Sequence, residues 1–233
     1  MEGFFLRTIL FANGPIQNIE STWQRVQPSE CIIAADGGWQ HCQLLNLKPD
    51  LLIGDFDSIT PAELQSIQAQ GIRTIRYPDR KDETDLELAL HFAVQNGGTQ
   101  IIILGGLGAR WDQTLANILL LTQAKFRDLP ISLVDGNQEM FILNSASRSN
   151  IPIDGYPGDT VSLIPLLGDV QGISTYGLDY PLENETLPIG STRGISNVIL
   201  QSPAAVTIQN GILMIVVIHK PLSLNLGDKN EKN

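Results

Sequence analysis

Leu51-Leu52-Ile53-Gly54-Asp55-Phe56-Asp57-Ser58-Ile59-Thr60-Pro61-Ala62-Glu63 is the stretch on which the fold turns. An apolar run ends at a glycine, an acidic turn follows, and a helix begins. Thr60 is placed as N-cap, Pro61 at the first helical position, where its missing N–H costs nothing, and Glu63 closes a capping box. Gly71 falls where that helix ends, in the left-handed role glycine fills without strain. Another apolar run, 72–76, follows at once. Strand, turn, helix and strand in succession predict parallel strands, because parallel neighbours need a crossover between them.

The pattern extends both ways. Apolar runs at 6–12, 31–35, 50–53, 72–76, 100–104 and 131–134 read as buried strands, with helical patterns in most of the gaps. Thr84-Asp85-Leu86-Glu87 repeats the capping box, and Asn96-Gly97-Gly98 ends that helix. Residues 113–126 carry Leu115, Ile118, Leu119 and Thr122 at helical spacing. From 144 the helical period vanishes. β-rich stretches at 147–153, 160–165, 172–175, 197–200, 205–209 and 212–219 are divided by turn residues, and Asn210-Gly211 reads as a hairpin turn. The expected fold class is α/β. A doubly wound, mostly parallel sheet domain spans 1–143, a C-terminal antiparallel β-sandwich 144–223, and a disordered polar tail 224–233.

Composition narrows the function. The chain has 233 residues, 42% of them hydrophobic, enough for one large core or two small ones. Its longest apolar runs, 101–104 and 212–218, fall far short of the roughly 20 residues of a membrane span. Met1-Glu2-Gly3-Phe4-Phe5 has no basic n-region, so no signal peptide is expected. Cys31 and Cys42 are too few for a disulfide framework and read as reduced thiols of a cytoplasmic protein. A net charge of −10 argues against nucleic acid or an anionic membrane as partner. Nine of the 25 acidic residues lie between Asp50 and Glu87, against four basic ones. A solvated acidic face is the plain reading; acids beside Gly, Phe and Thr at strand ends suit a divalent cation better.

Ligands of open α/β sheets bind beyond the carboxyl ends of the strands, and four clusters fall there. Asp36-Gly37-Gly38 lets a backbone approach a phosphate, or simply makes a tight turn. Gly54-Asp55-Phe56-Asp57-Ser58 puts two carboxylates at i and i+2, facing one side if the backbone is extended, where they reach a hard cation; alternatively Asp57-Ser58 caps the next helix. Lys81-Asp82-Glu83-Thr84-Asp85 sets Asp85 at N1 of a helix, where the dipole alone stabilises it, and Lys81 either pairs with acids or meets a phosphate. Gly105-Gly106-Leu107-Gly108-Ala109-Arg110-Trp111-Asp112-Gln113 lacks the lysine of a P-loop but offers Arg110 as a phosphate clamp, with Asp112 as an N-cap at the least. Together these are the parts of metal-assisted phosphoryl transfer.

These motifs, with Pro49-Asp50, Ser162-Leu163-Ile164-Pro165, Thr175-Tyr176-Gly177-Leu178 and Gly194-Ile195-Ser196-Asn197, resemble the thiamine diphosphokinase (thiamine pyrophosphokinase) family in order and spacing, from about 34 to 197. The resemblance implies transfer of a diphosphate from ATP to the hydroxyl of thiamine, with Mg²⁺, in a homodimer whose thiamine lies between the catalytic domain of one subunit and the sandwich of the other. It implies Asp55, Asp57 and Asp85 as metal ligands, with Lys81 and Arg110 offsetting charge. It sets Arg110 and Asp112 at the ATP phosphates and Ser196 and Asn197 at thiamine; Asp36, Gly37, Ser58, Thr84 and Gln113 are further candidates around ATP, and Tyr180 around thiamine. Two positions depart from the family: Gln113 stands where His is frequent, and Tyr180 where Trp is. The alternatives are a related diphosphokinase acting on another alcohol, such as a hydroxymethylpterin, or a non-catalytic thiamine- or nucleotide-binding protein. A Rossmann oxidoreductase is disfavoured, since no Gly-x-Gly-x-x-Gly follows the first strand.

Overall fold

The structure is a computed structural model describing residues 7–27 and 31–220; the N-terminal five residues and the 224–233 tail lie outside the described residues. Strands β1 (Arg7–Phe11), β2 (Cys31–Ala35), β3 (Leu51–Gly54), β4 (Arg73–Arg76), β5 (Gln100–Leu104) and β6 (Ile131–Asp135) alternate with helices α1 (Ile19–Val26), α2 (Gly38–Leu44), α3 (Pro61–Ala69), α4 (Asp85–Gln95) and α5 (Trp111–Leu120). The six strands are parallel, in the order β4-β3-β2-β1-β5-β6. The chain winds one way from β1 to β4 and the other way through β5 to β6, so β1 and β5 flank the topological switch point.

Both faces of this sheet are covered, which is why its strands read as unbroken apolar runs. Ile9 and Phe11 point to one face and pack with Val26, Trp39, Cys42 and Ile67 of α1, α2 and α3. Leu10, Ile33, Ile53 and Ile103 point to the other and meet Leu86, Ala89, Leu90 and Ala93 of α4 and Leu120 of α5. Each fully buried Leu, Ile or Phe among them contributes roughly 1.5–3 kcal/mol. Burial pushes the thiols of Cys31 and Cys42 up to about 12. Among the described residues, no helix is long and apolar enough to cross a membrane.

The caps follow the sequence in α3 and depart from it elsewhere. Thr60 accepts from Glu63 N–H, and the Glu63 carboxylate accepts from Thr60 N–H at 2.8 Å. Thr84 likewise accepts from Glu87 N–H, but the Glu87 carboxylate turns away to Lys125 Nζ, 2.9 Å off. The helix expected over 113–126 is shorter. Arg110 is its N-cap, so Asp112 lies inside the first turn and not at the cap position. From Leu121 its bonds tighten to i→i−3 (Leu121 N–H to Ile118, Thr122 to Leu119, Gln123 to Leu120), which ends it.

Beyond β6 a two-residue turn leads into β7 (Gln138–Asn144), a strand absent from the sequence reading. The remainder comprises β8 (Asn150–Ile153), β9 (Thr160–Tyr176), β10 (Glu185–Leu187), β11 (Asn197–Val198), β12 (Ala204–Thr207) and β13 (Asn210–Ile218). The strands expected at 160–165 and 172–175 are one bent strand, β9. Its first half pairs with β13 and β11, its second with β10 and β12. The bend falls at Leu167 and Gly168, both at positive φ, where the register with β13 shifts. The hairpin expected at Asn210-Gly211 does not form. β12 pairs with β8 and the far half of β9, and β13 with β7 and the near half, so the turn carries the chain between layers. Val161, Leu163, Leu213 and Ile215 of one layer and Ile153, Ile173, Ala204 and Val206 of the other form the sandwich core.

Candidate active site

The turns after β1 and β5 touch at the switch point. Gly14 N–H donates to Gly105 O at 2.8 Å. Gly105 sits at φ +69, and a Cβ there would lie 2.5 Å from Ala12 O, so only glycine permits this contact. A Cβ on Gly38 would lie 2.0 Å from Phe11 O. That glycine's freedom is spent on seating α2 against β1, while Gly37 is the N-cap of α2. Beside these turns opens a cleft of about 380 Å³, lined by Asn13, Gly14 and Pro15 after β1, Asp36 after β2, Lys81, Thr84 and Asp85 before and at the start of α4, and Gly105 to Arg110, Gln113, Thr114 and Asn117 around α5.

Asp36 follows β2 at φ 44 and is buried. Its Oδ2 accepts from Ser58 Oγ at 3.0 Å, and its Oδ1 is buried with no partner among the described residues. Burial pushes this carboxyl above its ordinary range, and the charges of Asp57 and Asp55 add to the rise against the bonds from Ser58 and Gly37. Asp55 and Asp57 come together differently from the expectation of extended backbone. Phe56 between them is left-handed, φ 63, and Asp57 N–H donates to Asp55 Oδ1 at 3.2 Å. Asp36, Asp55 and Asp57 each offer an oxygen within 4.8 Å of the others. Three acids with one orphaned buried oxygen fit a hard divalent cation.

The structure gathers Asp36 with Asp55 and Asp57, and joins Asp85 to them through a cation. Lys81 Nζ lies 3.3 Å from Asp55 Oδ2 and 3.1 Å from Asp85 Oδ1, with its side chain 12% exposed, so it is no surface ion pair. Burial pulls the ammonium down, but Asp85 and Asp55 more than restore it, and its pKa is raised. Burial raises Asp55 too, yet the Asp57 N–H and Lys81 outweigh it and hold this carboxyl low. For Asp85, at N1 of α4, burial wins over Lys81 and the carboxyl is raised. Ser58 orients Asp36, and Thr84 caps α4 at the cleft wall.

Arg110 is at the cleft mouth, exposed and doubly bonded to Asp112, which lies outside the cleft lining. Gln113 lines the cleft. Sequence reasoning passed over Thr114 and Asn117, which brace the glycine-rich turn. Their spacing from Arg110 and Gln113, one helical face, was the signal.

Residues 22–133 match the model of the family described as "Thiamin pyrophosphokinase, catalytic domain", and residues 141–213 match its "vitamin B1 binding domain". The thiamine pyrophosphokinase of Bacillus subtilis (strain 168) is 30% identical over 214 residues, covering 91% of this chain and 98% of that protein. The chain belongs to the thiamin pyrophosphokinase family. The crystal structure of thiamine pyrophosphokinase from Bacillus subtilis superposes with a TM-score of 0.80 at 27% identity, over 92% of this chain and 100% of that one. That of thiamin pyrophosphokinase from Geobacillus thermodenitrificans gives 0.76 at 26%, over 94% and 99%.

The vitamin B1 binding match of this thiamin pyrophosphokinase family member includes Tyr180, Ser196 and Asn197, none of which lines the cleft. Asn197 is buried and fully engaged. Its Oδ1 accepts from Tyr180 N–H (3.0 Å) and Val198 N–H (2.8 Å), and its Nδ2 donates to Tyr180 O (2.7 Å). It clamps the backbone of Tyr180, whose ring is 70% exposed. Ser196, at φ 62, donates its N–H to Ser162 Oγ at 3.1 Å.

Proposed function

We propose that this protein transfers a diphosphate from ATP to the hydroxyl of thiamine, giving thiamine diphosphate and AMP. The observation that carries the reading is the cleft at the β1/β5 switch point, where Asp36, a shielded lysine, Asp85 and a glycine-rich turn form the wall in a chain of this family, and Asp55 and Asp57 stand behind Asp36 outside the lining. ATP lies along the 105–110 turn with its phosphates toward the acids. Asp36, Asp55 and Asp57 would hold Mg²⁺, and Asp85 completes the acidic wall through Lys81. When bound, that cation offsets the charge of the polyphosphate. The thiamine hydroxyl oxygen bonds to the β-phosphorus and releases its proton to water, the bond from that phosphorus to the α–β bridging oxygen breaks, and AMP leaves. Lys81 and Arg110 meet charge developing on the transferred group and the leaving oxygen. Gln113 in the place of a frequent family His keeps hydrogen bonding without a proton to exchange, which suffices where positioning dominates.

Thiamine, in this reading, sits between the cleft of one protomer and Tyr180 and Ser196 of its partner, with Asn197 behind them. The support is that Tyr180, Ser196 and Asn197 lie outside the cleft of their own chain, while Trp111 (89% exposed), Leu115 (59%) and Leu119 (37%) leave an apolar stripe on α5 for a second copy to cover. Two buried, unreactive thiols suit a cytoplasmic setting. The alternatives of another alcohol or a non-catalytic binder are not favoured by matches that span both halves of the chain. The test is thiamine-dependent release of AMP from ATP and Mg²⁺, lost in Asp57→Asn with its melting curve intact. Wild-type turnover in that variant would sink the acidic site.

A further inference from the structure

Two side chains on the inner face of α5 decide how the glycine-rich turn presents its backbone. Asn117 Nδ2 donates to Gly106 O at 2.8 Å. Thr114 Oγ1 accepts from Gly108 N–H at 3.1 Å and is within reach of the carbonyls of Arg110 (3.0 Å) and Gly108 (3.3 Å). Gly105, Gly108 and Ala109 of the turn all stand at positive φ, and its backbone bonds fall at its two ends, Gly14 N–H to Gly105 O and Arg110 N–H to Gly108 O.

The peptide between Gly106 and Leu107 is trans and planar, so its C=O and N–H point in opposite directions. With the oxygen tied to Asn117, the N–H of Leu107 is the group of that peptide left to meet an anion. Gly106, having no Cβ, would let the peptide rotate if the tie were cut. Both Gly106 and Leu107 line the cleft, where a carbonyl oxygen turned inward would repel phosphate oxygens.

We propose that Asn117 is a positioning residue for the ATP triphosphate: it keeps the Gly106 carbonyl against α5, so that the Leu107 amide and not that oxygen faces the polyphosphate, while Thr114 pins the turn at Gly108. This rests on the ATP reading above, and goes beyond it in assigning the selectivity of the turn to two side chains that need not touch the nucleotide.

The test is calorimetric titration of the full-length protein with a non-hydrolysable ATP analogue and Mg²⁺. Asn117→Leu has nearly the same shape, adds no charge to the cleft, and has no donor for Gly106 O. It should bind the analogue at least about tenfold more weakly, and in turnover raise KM for ATP while leaving KM for thiamine in place. Thr114→Val should weaken binding likewise, and Thr114→Ser, which keeps the hydroxyl, should restore most of the loss. A merely structural role would lower the melting temperature along with affinity and would not raise KM for ATP alone. Unaltered analogue affinity in a folded Asn117→Leu, or equal loss in Thr114→Ser and Thr114→Val, would overturn the proposal. A wild-type protein that binds no analogue would overturn the ATP reading itself, a separate result.

Discussion

Ser58 Oγ donates to Asp36 Oδ2 across 3.0 Å, tying the turn after β3 to the turn after β2 and holding a buried carboxylate beside two others. The charge on Asp36 costs the folded state, since burial and its acidic neighbours hold the group above its ordinary range. Asp36→Asn keeps the shape and removes that charge. Without divalent metal it should melt about 2–4 °C above wild type, the shift of roughly 1 kcal/mol in a chain of this size. Its stabilisation by added Mg²⁺ should shrink, and kcat should fall by about a hundredfold or more. Differential scanning fluorimetry with and without Mg²⁺, beside turnover, checks all three.

The Arg110 side chain is exposed and, among the described contacts, bonded to Asp112. Arg110→Ala should leave the melting temperature within about 2 °C, as a surface change does, while lowering kcat/KM for ATP by about a hundredfold. Arg110→Lys should recover little, because an ammonium cannot reproduce a two-pronged contact with phosphate. Steady-state kinetics at varied ATP decides it; near-wild-type kinetics in Arg110→Lys would show that only charge is required.

Asp159 anchors the end of β13. It accepts from Tyr156 N–H (3.0 Å), Lys220 N–H (2.9 Å) and His219 Nδ1 (2.9 Å). Burial raises this carboxyl, but those donors outweigh it and its pKa is lowered. A group lowered on folding stabilises fully above its unfolded value, about 3.9, and loses that contribution as pH falls through the folded one. Asp159→Ala should cost about 3 kcal/mol at pH 7 by orphaning three donors, and the gap to wild type should narrow below about pH 4. Urea unfolding at pH 7 and pH 3 measures it; a gap that does not narrow would show that the charge of Asp159 contributes nothing.

Tyr180 and Asn197 should fail in different ways. Tyr180→Ala should raise KM for thiamine several-fold, a cation–π contact being worth about 0.5–2 kcal/mol, and leave KM for ATP alone. Tyr180→Trp should lower KM for thiamine. Asn197→Ala, which strands two backbone groups of Tyr180, should cost about 2 kcal/mol of stability and raise KM for thiamine as well. Kinetics at varied thiamine, with urea melts, separates a contact from a clamp.

What could be read in advance was local. The Thr60 capping box and the glycine after α3 are written within a few residues, and the parallel sheet follows from runs that neighbours bury on both faces. What escaped depends on partners far away in the chain. Asn210-Gly211 has hairpin chemistry, but the strands beside it both choose β9. β7 is only half buried, and its pattern fades without β13 beside it. Asp36 joins Asp55 and Asp57 because the parallel register opposes Ala35 to Ile53, and no spacing of 19 residues in sequence announces that neighbourhood. Asp57 and Asp55 were legible as a pair, though through a left-handed Phe56 and not an extended strand.

The most direct measurement is the identity of the products by phosphorus NMR, with purified protein, ATP, thiamine and Mg²⁺ in one tube. Diphosphate transfer predicts AMP and thiamine diphosphate rising together, one for one, with no ADP. ADP with thiamine monophosphate would place the attack on the wrong phosphorus, and ATP left intact beside thiamine would contradict the catalytic reading altogether.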